Sequence, residues 1–183
     1  KKSNMYKYVQ RGINLLTNNT LFEDIDKNSI NKAISTLKNW DLNTNLDNIN
    51  AAFPILSFSK ILDVDPLIVP VSTMVENISY AIKYLSKHYK SINIEWNKLN
   101  RLIRGDTNIP VSGGPDIPRA IYATPNNNGQ LQSLAGDCYI LLARWDENGK
   151  VFSESIHQYG SSTQNKFSKH FLYYSSNIIT LTS

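Results

Sequence analysis

One cysteine, Cys138, is the whole thiol content of this 183-residue chain. No disulfide can form within it, and one such ligand cannot build a cysteine-based metal site. Cys138 sits inside an apolar, strand-like run, which favours inert packing over reactivity. Charge is also sparse. Asp, Glu, Lys and Arg make up 19% of the residues, and 19 basic against 15 acidic side chains leave a net charge of +4. The basic residues are scattered, so the dense positive footprint of a nucleic-acid-binding protein is missing. No apolar run reaches the roughly 20 residues that span a bilayer. The opening Lys1-Lys2-Ser3-Asn4-Met5-Tyr6 is followed by no signal-peptide core. Chemical signatures are equally thin. Gly113-Gly114 lacks the lysine and spacing of a phosphate-binding loop. There is no Gly-x-Ser-x-Gly nucleophile elbow. His88, His157 and His170 are far apart in sequence and show no metal-ligand spacing.

What the chain does have is helical periodicity in its first half. Residues 5–19 place Val9, Ile13 and Leu16 on one face. Ile30, Ala33, Ile34, Leu37 and Trp40 recur at spacings of three and four, which predicts a helix over residues 27–40 capped by Asp26 or Asn28. Residues 41–71 are rich in Asn and interrupted by Pro54, Pro66 and Pro70. They read as an irregular segment covering a core face. Met74, Ile78, Ala81, Ile82, Leu85 and Tyr89 predict a helix over residues 73–89, opened by a Thr73/Glu76 capping box. A short helical turn over 96–103 is expected to stop at Gly105.

Beyond residue 105 turns and strands take over. Gly113-Gly114-Pro115 and Asn126-Asn127-Asn128-Gly129 are turn signals, and residues 119–123 between them form a candidate strand. Residues 138–145 read as a strand buried on both faces. Asp146-Glu147-Asn148-Gly149 is a hairpin turn, with residues 151–159 as the return strand. Residues 168–176 read as a short helix or loop. No internal repeat is present. The expected class is α+β, mainly helical over 1–104 and mainly strands and loops over 105–183.

Five short motifs in a fixed order add a resemblance. They are Leu37-Lys38-Asn39-Trp40-Asp41; Trp96 with Arg104-Gly105; Pro110-Val111-Ser112-Gly113-Gly114; Gly136-Asp137-Cys138-Tyr139; and Tyr159-Gly160-Ser161-Ser162 followed by Ser168-Lys169-His170-Phe171. Together, over about residues 33–171, the chain resembles the closing part of the β subunit in the penicillin acylase family, which includes aculeacin-type and acyl-homoserine-lactone acylases. Departures accompany the match. Lys169 stands where the family usually has proline, Tyr173-Tyr174 where it has Asp-Gln, and Cys138 where Ser is common. Ser183 falls before the family's usual closing segment.

The resemblance implies a partial N-terminal nucleophile hydrolase fold, an α-β-β-α sandwich, with residues 1–183 as a fragment of one β-subunit domain. It implies hydrolysis of a linear amide. A precursor is cut into α and β subunits, and the new N-terminal serine of the β subunit attacks the carbonyl. Its own α-amine, with a pKa near roughly 7.7–8.0, serves as base. An asparagine and a backbone amide stabilise the oxyanion. No metal or cofactor takes part. Serine, histidine and asparagine all lie upstream of the matched region, so the nucleophile is expected to be absent from this chain and the chain alone inactive. Its expected partners are the remainder of the acylase (the α subunit and the N-terminal part of the β subunit) and a small-molecule amide. No nucleic acid and no membrane span are expected. The implied compartment is the periplasm. Substrate-binding residues are not assigned, and penicillins, lipopeptides and acyl-homoserine lactones are not separated.

Within the chain, the resemblance gives Asp137 a role as orienter of a histidine outside this chain. A buried carboxylate ahead of an apolar strand needs such a partner. The competing reading has Asp137 capping a turn through backbone amides. His157 alternates with Ser155 and Tyr159 on a strand and reads as structural. Arg104, at a helix end, could recognise a substrate carboxylate. Trp40 and Trp96 read as core anchors. The alternative for the whole chain is a non-catalytic remnant or binding module from a truncated acylase gene.

Overall fold

A computed structural model describes residues 4–117, 119–136 and 139–157. The architecture is α+β, with helices first and strands later. Helix α1 (Asn4–Thr17) buries Met5, Tyr8, Val9, Gly12 and Leu16 at helical spacing. The Tyr8 ring stacks on Phe58 at 5.7 Å, and its hydroxyl donates to the Ile61 carbonyl at 2.6 Å. Burial raises the Tyr8 pKa, so this phenol stays a donor. Helix α2 (Lys27–Asn39) starts at Asp26, whose carboxylate accepts from the Ser29 amide at 2.9 Å; Asp26, not Asn28, is the cap. Ile30, Ala33 and Leu37 face inward, and Trp40 leaves the helix in extended conformation but stays buried.

The segment expected to be irregular contains the most deeply buried helix. Every residue of α3 (Ala52–Phe58) is buried, and a 3-10 turn, Ser59–Ile61, extends it. Pro54 does not break α3 because it is the third residue of the helix. The first four amides of a helix have no intrahelical acceptor, so the missing N–H costs nothing there. Helix α4 (Val71–Tyr89) places Met74, Ile78, Ala81, Ile82 and Leu85 in the core, as its periodicity requires. Its start corrects the Thr73/Glu76 capping box. Pro70 is the N-cap, no side chain caps the end, and the Met74 amide donates to the Pro70 carbonyl at 3.2 Å. Proline fixes φ near the helical value, and its lack of an N–H is harmless at that position.

Residues 96–103 split in two. Helix α5 (Trp96–Leu99) is one turn, and β1 (Asn100–Arg104) follows directly. The period changes here from helical to two: Asn100 and Leu102 are buried, while Arg101 and Ile103 are less so. Gly105, at φ +56°, serves the β1–β2 turn rather than a helix end. Strand β2 (Thr107–Pro110) pairs antiparallel with β1, opposing Ile109 to Leu102. Strand β3 (Ile121–Pro125) lies two residues beyond the expected 119–123, and β4 (Leu131–Gly136) follows. The sheet order is β2-β1-β4-β3, with β1 and β4 parallel and the other pairs antiparallel. The Asn126 side chain closes the β3–β4 turn by accepting from the Asn128 and Gln130 amides, both at 3.0 Å. One large core spans the helices and reaches Leu131, and a small satellite of Leu102, Val111 and Ile121 lies in the sheet.

Strands β5 (Tyr139–Trp145) and β6 (Val151–His157) form a separate antiparallel hairpin. Its turn follows the expected Asp146–Gly149 signal, with the Gly149 amide donating to the Asp146 carbonyl at 3.0 Å. The expectation of burial on both faces fails within this chain. Residues 141–155 are exposed, and Trp145 retains 67% of its surface. Among the described residues no other layer covers the hairpin, which explains the exposure. Cys138 and the helix or loop expected at 168–176 lie outside the described residues. Among those described, no helix is long and apolar enough to cross a membrane.

Candidate functional site

Three of the sequence motifs meet at one polar junction. Asp41 follows Trp40, and its carboxylate accepts from the Asn43 amide at 3.0 Å and from the Asn43 and Asn48 side chains, each at 2.9 Å. These bonds, the Asn43 side chain first, hold the Asp41 carboxyl below its ordinary pKa. The loop so shaped caps α5. Its Leu46 and Asn48 carbonyls accept from the Asn97 and Trp96 amides at 2.8 and 3.0 Å. It also presents buried Thr44, whose hydroxyl accepts from the Gly113 amide at 3.1 Å. Trp96, 1% exposed, donates its indole N–H to the Gly113 carbonyl at 2.9 Å. Asn100 donates to the Val111 carbonyl at 2.9 Å. The Trp40-Asp41, Trp96 and Pro110–Gly114 motifs are therefore parts of one structural junction.

The junction carries a pH dependence of known sign. Because the folded Asp41 pKa is lowered, its contribution is present above the unfolded value near roughly 3.9 and is lost as pH falls through the folded value. Asp41→Asn is expected to cost about 0.5–1 kcal/mol at pH 7, a charged hydrogen bond discounted for its exposed position. It should also flatten the acid limb of stability against pH. Urea unfolding at pH 7 and pH 3 checks both; an unchanged difference between the two pH values would remove Asp41 from this role.

Beside the junction lies an apolar cleft of about 160 Å³, set between α3, α4 and β3. Ile55, Leu56, Trp96, Ile121 and Leu131 contribute its apolar walls, and the whole of β3 runs along one side. Lys60 and Tyr80 stand at it together, the ammonium 5.3 Å from the ring centre. Asn100, 1% exposed, is also part of the lining. Its side-chain oxygen is fully buried and accepts no hydrogen bond among the described residues.

Most of the sequence-derived candidates lie elsewhere. Asp137 and Cys138 lie outside the described residues, as do Ser161, Ser162, Ser168 and His170. Gly136, which opens the Gly-Asp-Cys-Tyr motif, is the last residue of β4. A Cβ there would stand 2.5 Å from the Ala120 carbonyl, so the close approach of the two chain segments requires glycine. His157 opposes Tyr139 across the hairpin. Arg104 is at the end of strand β1, not of a helix; it is exposed and donates to the Ser133 carbonyl at 3.3 Å. The helix-dipole argument for it therefore lapses. His88 stacks at 4.6 Å on Tyr84, whose pKa burial pushes up to about 12. Among the described residues no group of three His, Cys, Asp or Glu is placed to hold a metal ion.

Sequence reasoning missed Lys60, Tyr80 and Asn100. Lys60 was hidden in a segment read as irregular. Asn100 was hidden by the helical reading of 96–103; alternation with Leu102 is the signal that points it inward. No family model matches the chain, and no curated protein matches it.

Proposed function

We propose that this chain is the C-terminal part of the β subunit of a penicillin-acylase-like amidohydrolase, and that it completes a larger α-β-β-α sandwich. The intact enzyme would cleave a linear N-acyl bond through an N-terminal serine carried outside this chain, without metal or cofactor, in the periplasm. Five motifs in the family's order support the reading. One structural observation carries it furthest: the β5–β6 hairpin has apolar side chains on both faces and leaves Leu141, Leu142, Trp145 and Val151 about half exposed or more. A seven-residue hairpin with two apolar faces matches a strand pair sandwiched between layers, and a two-stranded ribbon alone is marginal in water. In this reading Asp137, immediately before β5, orients the active-site histidine.

A second reading, a non-catalytic module, is favoured by the helical core. Thirty apolar residues are buried without help from another chain, which is the property of a self-sufficient domain.

Amidase assays with a panel of chromogenic acyl-amides separate the two. The chain is tested alone and co-expressed with the product of any reading frame directly upstream. Turnover only in the combined sample is expected, and Asp137→Asn should then lower kcat by about a hundredfold or more, the scale of a positioned acid-base partner. Turnover by the chain alone would overturn the claim that the nucleophile lies elsewhere. No turnover in either sample, with a monomeric cooperative unfolder, would establish the non-catalytic module.

A further inference from the structure

The cleft beside Trp96 has no part in the proposed amide chemistry, and its chemistry can be read independently of that proposal. Its volume of about 160 Å³ matches an apolar cavity of roughly 150 Å³ that takes up benzene, so a single ring or a branched chain fits it. The walls are dominated by Ile55, Leu56, Trp96, Ile121 and Leu131. Lys60 is the only charged residue among those that line it. Among the described residues no carboxylate pairs with Lys60; its ammonium rests over the face of Tyr80 at 5.3 Å. An apolar body next to one unneutralised cation selects an amphiphile with a single negative charge. A larger or polyanionic ligand is disfavoured, because the remaining lining offers it neither room nor cations.

We propose that this cleft binds a small apolar monocarboxylate, an aromatic or branched acid whose hydrocarbon body sits against Trp96, Ile121 and Leu131 and whose carboxylate reaches Lys60.

The test uses the full 183-residue chain and two probes that differ in the head group, 3-phenylpropanoate and the neutral 3-phenylpropan-1-ol, titrated by calorimetry and by amide NMR shifts. Saturable binding of the acid, tighter than the alcohol, is expected. Lys60→Gln should weaken the acid by about fivefold, the scale of one exposed ion pair, and leave the alcohol unchanged. Ala123→Phe places a ring into the cleft from β3 and should abolish binding of both. Because Lys60 is on the surface, Lys60→Gln keeps the proposal testable should Ala123→Phe fail to fold. The proposal is overturned if neither probe binds saturably, if Lys60→Gln weakens acid and alcohol alike or neither, or if a folded Ala123→Phe still binds. Concentration-dependent self-association that competes with the acid and disappears in Ala123→Phe would also overturn it, assigning the cleft to a second copy of this chain.

Discussion

Trp96→Ala is expected to lower the unfolding free energy by about 3–5 kcal/mol, the range for truncating a large aromatic in a closed core. Trp96 is 1% exposed and among the largest fully buried side chains described. Its role is also polar. The indole N–H donates to Gly113 O, and its backbone amide donates to Asn48 O, so one residue joins the loop after α2 to the segment after β2. Truncation would open a void between α3, α5 and β3 and leave the Gly113 carbonyl with only a long contact to Asn100 at 3.4 Å. In a domain of this size the loss corresponds to a fall in melting temperature on the order of 10 °C. Trp96→Phe separates the two contributions, since it keeps most of the volume and removes the donor; a loss of about 1–3 kcal/mol is expected from it. Urea unfolding followed by far-ultraviolet circular dichroism gives both values. A loss below about 1 kcal/mol for Trp96→Ala, the size of an ordinary surface-like substitution, would mean that the indole does not hold the junction together.

The helices were legible where apolar spacing is regular, as in α1, α2 and α4. They were misread where backbone rules depend on position. Pro54 argues against a helix only if it sits in the interior, and residue spacing alone does not say where a helix begins. Likewise Thr73 and Glu76 satisfy a capping pattern, but Pro70 had already started the helix. Strands β2 and β4 carry few β-branched or aromatic residues, and they are strands because their neighbours pair with them. The same dependence explains the junction. Leu37–Asp41, Trp96 and Pro110–Gly114 were visible as separate motifs, but only the folded chain brings the loop at 41–48 between them. For the cleft the limit was different: Lys60 and Tyr80 come from separate helical segments, and no pattern in the sequence joins them.

Gly113→Ala is expected to be the second most damaging substitution, with a loss on the order of 3 kcal/mol. Two costs add. Gly113 has φ +102°, well past the left-handed region that an L-residue tolerates, and such strain costs about 1–3 kcal/mol. In addition, a Cβ at this position would lie 2.8 Å from the Arg119 carbonyl and 3.1 Å from Ile121 Cδ1. The carbonyl belongs to the backbone and accepts from the Gly114 amide at 3.1 Å, so it cannot retreat without breaking a second contact. Gly149→Ala supplies the control. Gly149 also has a positive φ, +78°, but a Cβ there meets nothing within 4 Å. That variant should lose only the turn strain, about 1 kcal/mol. The difference between the two losses, measured by urea unfolding, reports how tightly the strand after Gly113 is drawn against the segment before β3. Equal losses would show that the close approach is relieved by a small shift. A larger loss at Gly113 would place the Gly113–Gly114 turn beside Trp96 as the second fixed point of the junction. Pro115, which lines the cleft, directly follows that turn, so the fit of any ligand there is set by the same glycine.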